Sequence, residues 1–403
     1  CGEGMTFDDA FKACVPAHVF TTHTPVPAGF DIFSNHEMWT YLPSAHEHLK
    51  ISRDAFMALG GPIDGSPSGD SFNMAYLAMR TSTRINGVSK LHGHVSRAMW
   101  QTMWPQHPVD DVPISHVTNG VHVPTWQADA WKELSGGTPD DATLWQQRNA
   151  SRAKLIDAVR RRTHARCDRL GVSEKTWIEN LLDPNVLTIG FARRFATYKR
   201  ATLLLRQVER LRALLGSADR PVQFLFAGKA HPKDMGGQAL IQDIVRFSED
   251  PAVRGRFQFL EGYDMALARE LVEGVDVWLN NPRRPKEASG TSGMKVVLNG
   301  GLNLSILDGW WDEAYDGKNG WAIGGGELFD NPEEADAREA EILLSLLEDT
   351  VVPAFYERDE AGIPTRWVEL MRHSMDGLSY RFSTERMVKD YVKELYHPTH
   401  ESS

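Results

Sequence analysis

Three loops of this chain bring together residue types that do chemistry. The first reads Arg193-Arg194-Phe195-Ala196-Thr197-Tyr198-Lys199-Arg200, four cations in eight residues. At a strand end and ahead of a helix N-terminus, guanidinium forks and a lysine point charge suit an anion such as phosphate. The plainer alternative is a solvated basic turn. The second loop, Ala227-Gly228-Lys229-Ala230-His231-Pro232-Lys233-Asp234, sets a glycine beside a lysine but lacks the Gly-x4-Gly-Lys-Ser/Thr spacing of a Walker loop. The third reads Glu287-Ala288-Ser289-Gly290-Thr291-Ser292-Gly293-Met294-Lys295. Its small residues let a ligand approach backbone N–H groups at a helix start, and Glu287 can accept hydrogen bonds from sugar hydroxyls. Lys295 stands among Met294, Val296 and Val297. A lysine desolvated in this way loses basicity and can form a Schiff base with an aldehyde. The alternative is a helix cap with a snorkelling lysine.

The elements around these loops read as an α/β chain with a parallel sheet. Val186–Ala192 is a short apolar run of the length of a buried strand, and Val222–Phe226, Phe257–Leu260, Val275–Leu279 and Leu302–Leu307 read as further strands. Between them, Leu204, Leu205, Val208, Leu211 and Leu215 fall on one helical face. Leu240, Ile241, Ile244 and Val245 mark a second helix, and Asp264 caps a third carrying Leu267 and Leu271. Right-handed crossovers then place the loops after the strands along one edge, where ligands bind. Upstream, Ala17–Thr22 is strand-like and 71–100 reads as largely helical with a break at Asn86-Gly87. Residues 127–180 and 331–395 read as helical.

Hydrophobic residues at 41% and charged residues at 24% exclude a disordered, collagen-like or disulfide-scaffold chain. A net charge of −10 argues against a general nucleic-acid binder. No apolar run of ~18 residues predicts a membrane span. Cys1, Cys14 and Cys167 give no disulfide framework and no zinc spacing, so a cytoplasmic, reducing compartment is expected. His46-Glu47-His48 and His92-Gly93-His94 lack a third ligand at recognisable spacing, so no metal is expected. Trp310, Trp311 and Trp321 could stack on sugar rings but suit a core better. Arg283-Arg284-Pro285-Lys286 could line a site or face solvent. The start at Cys1 without a leader pattern reads as a chain entered in its middle.

EASGTSGMKVVLNGGLNLSILDG at 287–309 resembles the cofactor segment of the glycogen and α-glucan phosphorylase family, whose EASGT-x-x-MK lysine carries pyridoxal 5′-phosphate. The Arg193–Arg200 loop resembles that family's phosphate loop. HTPVPAG at 23–29, NMAYLAMRTSTRINGVSKLH at 73–92 and VTNGVHVPTW at 117–126 resemble three further family segments, in order. Arg193 where the family often has Lys, Thr197 in place of Glu, and LDGWWDE at 307–313 in place of LDGANVE resemble the short bacterial branch. The family's Gly-rich phosphate-facing loop and most of its first domain have no counterpart here.

The resemblance implies a two-lobed glycosyltransferase fold of GT-B type with Rossmann-like lobes, the first lobe incomplete. It places the end of the first lobe at 1–115 and the cofactor and phosphate lobe at 116–370. A helical segment, 371–403, then returns to the first lobe. It implies reversible phosphorolysis of α-1,4-glucan by inorganic phosphate to glucose 1-phosphate with retention, and the family's usual homodimer. Lys295 would hold pyridoxal 5′-phosphate. Gly290, Thr291 and Ser292 would donate to its phosphate, with Arg193 and Tyr263 nearby. Arg194 and Lys199 would bind the substrate phosphate. Glu287, Ala288, Ser289 and Asn86 would bind glucose hydroxyls, and His23 would contact the glucosyl unit. The competing readings are a nucleotide-sugar-dependent α-glucan synthase of the same architecture, and a truncated chain that binds without catalysing.

Overall fold

In the computed structural model, which describes residues 4–26, 29–61 and 70–397, contacts divide the chain into two compact units. One comprises Cys1–Asn119, Pro285–Ser289 and Met387–Ser403, the other Gly120–Arg284 and Gly290–Arg386. Cys1, Pro27 and Ala28, named from the sequence, lie outside the described residues. Among the described residues, no helix is long and apolar enough to cross a membrane, and no group of three or more His, Cys, Asp or Glu side chains could hold a metal.

In the first unit, β1 (Val19–Thr21), β4 (Arg84–Gly87) and β5 (Ile114–His116) form a parallel sheet in the order β1-β4-β5. β2 (Ile32–Ser34) and β3 (Ser71–Asn73) form a separate antiparallel pair. The expected helical stretch 71–100 is therefore corrected. Its break is the central strand β4, between helices Met74–Arg80 and Lys90–Trp100. β4 holds one apolar residue, Ile85, followed by Asn86 and Gly87, so it has no apolar run to read. Gly87 is required here, because a Cβ would meet the Gly93 backbone nitrogen at 2.8 Å.

His92, on the helix behind β4, is 1% exposed and accepts the Val88 N–H at Nδ1 over 3.1 Å. Burial pushes its pKa down to about 4, against ~6.5 in an unfolded chain. Between those values the unfolded chain binds a proton that the folded unit refuses. Stability is therefore fully present above pH ~6.5 and falls as the pH drops towards ~4, by about 3 kcal/mol in all. His92→Gln is expected to flatten that fall in urea titrations at several pH values; parallel wild-type and variant curves would contradict this account.

In the second unit, β6 (Leu187–Phe195), β7 (Val222–Ala230), β8 (Phe257–Leu260), β9 (Val277–Asn280), β10 (Leu302–Ile306) and β11 (Gly320–Ile323) form one parallel sheet. Its order is β11-β10-β9-β6-β7-β8. Strand side chains alternate between two buried faces. Ile189, Phe191, Phe224, Phe226 and Leu279 pack with Leu211, Ile244, Leu343, Leu344 and Trp367 on one side. Ala192, Leu225, Ala227 and Trp278 pack with Leu155, Val159, Leu267 and Leu271 on the other. The expected α/β class and the five expected strands are observed. β11 had no signal, since it is four residues set behind the polar turn Asp316–Asn319. Trp310, Trp311 and Trp321 are core residues, 2%, 0% and 7% exposed.

Candidate functional site

From β6 the second sheet grows one way through β7 and β8. The chain then returns to β9 on the other flank of β6 and grows outward. The loops after β6 and β9 thus leave the sheet at its topological switch point, the usual ligand crevice of such folds. Of the expected basic loop, Arg193 and Arg194 lie on the end of β6 itself, paired with β7, and Lys199 and Arg200 in the loop after it; the segment after Asn280 leads on to Gly290–Lys295.

Arg193 is half-buried near the C-terminal end of β6 and donates from Nη1 to Asn280 Oδ1 on β9. Asn280 Nδ2 in turn donates to Ser305 Oγ on β10 at 3.0 Å, so a polar chain crosses three strand ends. Burial raises the Tyr263 phenol pKa, and the charge of Arg193 acts against that rise. Arg194 is exposed, and Lys199 is half-buried with Nζ 5.1 Å from the Tyr198 ring centroid. Gly228, which falls on β7 and not in the expected loop, serves packing, since a Cβ there would meet the Arg193 carbonyl at 2.0 Å.

Arg200, the fourth cation of the first loop, is 4% exposed and left-handed at φ 50°. Its Nε donates to Asn281 O at 2.9 Å, Nη2 to Pro282 O at 2.8 Å and Nη1 to Asp336 at 2.9 Å. It also pairs with Glu339, whose carboxyl burial raises in pKa while Arg200 acts against the rise. Asn281 Nδ2 returns a bond to Arg200 O at 3.0 Å, and the Arg283 N–H donates to Tyr198 O at 2.7 Å. Arg200 therefore straps the two loops together. Arg283 pairs with Asp336 at 2.7 Å and Arg284 with Asp312, while Lys286 is exposed.

The helix Thr291–Val297 begins at Gly290, which is left-handed at φ 83°. A residue with a Cβ is strained there. First-turn N–H groups have no intrahelical acceptor and can serve a ligand. A Cβ on Gly293 would meet Asn303 Oδ1 at 2.3 Å, so this glycine lets the helix lie close on β10. Thr291 and Ser292 are half-buried. Lys295 is half-buried too, its Nζ 3.8 Å from the centroid of the Trp126 ring. Burial holds its pKa below the ordinary lysine value. A half-buried primary amine of lowered basicity, on a helix whose first turn offers small residues and backbone donors, fits a group that combines an aldehyde with a phosphate.

The remaining expected residues belong to the first unit. Asn86 is fully buried on β4. It accepts from Thr21 Oγ1 at 2.8 Å and donates to Gly87 O at 2.9 Å and to the Tyr391 hydroxyl at 3.1 Å. His23 is exposed, two residues past the end of β1, the strand paired in register with β4. Glu287, Ala288 and Ser289 are buried, and Ala288 O accepts from Ser89 Oγ at 2.8 Å. Ser289 Oγ is buried and has no hydrogen-bond partner among the described residues. Such an atom normally finds one in a ligand or water. The nine-residue motif is thus divided, Glu287–Ser289 grouping with the first unit and Gly290–Lys295 with the second.

Arg200 had a sequence signal only as one more cation. Trp126 and Asn299 lie within the resembling segments 117–126 and 287–309 but are not singled out by sequence, because Trp126 meets Lys295 and Asn299 across 169 and 173 residues.

Residues 2–313 match the carbohydrate phosphorylase family model. The chain is 47% identical to a glycogen phosphorylase of Mycobacterium tuberculosis, over 99% of this chain and 49% of that protein. It is 43% identical to a maltodextrin phosphorylase of Thermococcus litoralis, over 98% and 48%. A glycogen phosphorylase of Aquifex aeolicus is 39% identical over 98% and 59%. The chain spans about half the length of the first two. With most of its length matched by one family model, this chain belongs to the carbohydrate phosphorylase family.

Proposed function

We propose that this chain supplies the cofactor and phosphate machinery of an α-glucan phosphorylase. Such an enzyme transfers the terminal glucosyl unit of an α-1,4-glucan to inorganic phosphate, giving glucose 1-phosphate with retention. The observation that carries this reading is the desolvated Lys295 amine set against Trp126, on the helix that follows the switch-point loop after β9. Pyridoxal 5′-phosphate, when bound, supplies a phosphate group that exchanges protons with the substrate phosphate.

The chain's own residues would act as follows. Lys295 holds the cofactor through its neutral amine. The Gly290, Thr291 and Ser292 backbone donates to the cofactor phosphate, and Arg193 offsets its charge beside Tyr263. Arg194 and Lys199 bind the substrate phosphate. Two phosphates in one site repel, and cations must offset this; unit charges ~4 Å apart interact by about 4 kcal/mol at an effective dielectric of ~20. Glu287, the Ala288 backbone, Ser289 and Asn86 bind glucose hydroxyls. The orphaned Ser289 hydroxyl supports that assignment. His23 contacts the glucosyl unit.

The test is to saturate the chain with pyridoxal 5′-phosphate and supply maltodextrin and inorganic phosphate. Glucose 1-phosphate is the expected product. Glucan extension from a nucleotide sugar, with no phosphorolysis, would overturn the reading. Borohydride-trapped labelling of Lys295 should rise with pH through a midpoint below the 10.5 of an ordinary lysine.

A further inference from the structure

Trp126 ends the short helix Val123–Trp126. Its partly buried ring packs against the apolar cluster of Ala192, Trp278 and Val296 and against that of Met294, Val297 and Trp310. It is thereby fixed where two cores meet, and its face lies 3.8 Å from Lys295 Nζ. An indole face at that distance covers one side of the amine, and Lys295 as a whole stays only half-buried.

The fully buried Asn299 holds this arrangement. Its Nδ2 donates to Lys295 O at 3.0 Å and to Trp126 O at 2.9 Å, and its Oδ1 accepts the Ala128 N–H at 2.9 Å. Its own carbonyl accepts from Arg148 Nη1 at 2.7 Å. One amide therefore ties the backbone that carries the lysine to the backbone that carries the indole. An amide with three such bonds in a buried setting has little freedom to move either one.

We propose that Trp126 and Asn299 are positioning residues for Lys295: the indole shields one side of the amine from water and leaves only the other side for an incoming aldehyde, and Asn299 sets the register between them. The proposal rests on Lys295 being the cofactor lysine. Two forces act on the amine. The ring quadrupole attracts an ammonium, whereas burial disfavours one. Removing the ring admits water, and the lowered basicity of Lys295 should revert towards that of an ordinary lysine.

The test compares the wild-type chain with Trp126→Ala, Trp126→Phe and Asn299→Ala. Two readouts are followed against pH. One is borohydride-trapped pyridoxal 5′-phosphate on Lys295, and the other is acylation of Lys295 in the cofactor-free chain by an amine-reactive ester, both quantified by peptide mass. Trp126→Ala should move both midpoints upward, and labelling at neutral pH should slow about tenfold for every pH unit by which the midpoint rises. Trp126→Phe should keep most of the wild-type profile, and Asn299→Ala should move it in the same direction as Trp126→Ala. Unchanged profiles in a folded Trp126→Ala chain would overturn the inference while leaving the cofactor reading intact. A displaced acylation profile with no pyridoxal label on wild-type Lys295 would overturn the cofactor reading and leave the indole's effect on the amine standing.

Discussion

Lys295→Ala is expected to abolish retained pyridoxal absorbance and to lower glucose 1-phosphate formation at least ~1,000-fold. The size follows from what the residue does in the account. It fixes the reacting phosphate group in place, and losing a well-oriented group commonly costs several orders of magnitude in rate. Lys295→Arg should do no better, because a guanidinium is not deprotonated in proteins and cannot act as the neutral amine. Absorbance of the dialysed chain and a coupled glucose 1-phosphate assay check both variants. A Lys295→Ala chain that keeps bound pyridoxal and near-normal turnover would remove Lys295 from the mechanism.

The second large effect lies at the opposite end of the same sheet. Asp276, just before β9, is fully buried between two arginines that are 0% and 1% exposed. Its Oδ1 accepts from Arg152 Nη1 at 2.6 Å and stands 3.4 Å from Arg148 Nε, and its Oδ2 accepts the Thr188 N–H of β6 at 2.9 Å. Burial pulls the Arg148 pKa down to about 10 despite Asp276 beside it. Asp276→Asn removes the carboxylate that two buried guanidinium charges share. Loss of one partner from a buried ion pair costs ~3–5 kcal/mol, so the denaturation midpoint of the second unit should fall steeply. The same substitution combined with Arg148→Leu and Arg152→Leu should recover part of the loss, since an apolar replacement of a whole buried ion cluster is often neutral. A chain that tolerates Asp276→Asn alone would show that the cluster contributes little.

How much of this was legible beforehand depended on the range of the forces involved. β6 and β7 were visible because Val186–Ala192 and Val222–Phe226 are mostly apolar runs, and β8 to β10 because short apolar-rich segments recur between helical patterns. β4 and β11 were not, since Asn86, Gly87 and Gly320 are held by neighbouring strands and close backbone approach. Lys295 was visible because its apolar neighbours lie beside it in sequence. Arg200 was misleading: in sequence it adds to a basic loop, whereas in the fold backbone carbonyls and two carboxylates occupy its guanidinium. Trp126 meets Lys295 and Asn299 only after the chain has closed a loop of about 170 residues, so the residues around any one of the three do not announce their contact.

The most direct test of the central claim is borohydride reduction of the purified chain saturated with pyridoxal 5′-phosphate, followed by peptide mapping. The account predicts one pyridoxyl group, on Lys295. A folded chain that takes no label, or takes it on another lysine such as Lys229, would contradict it.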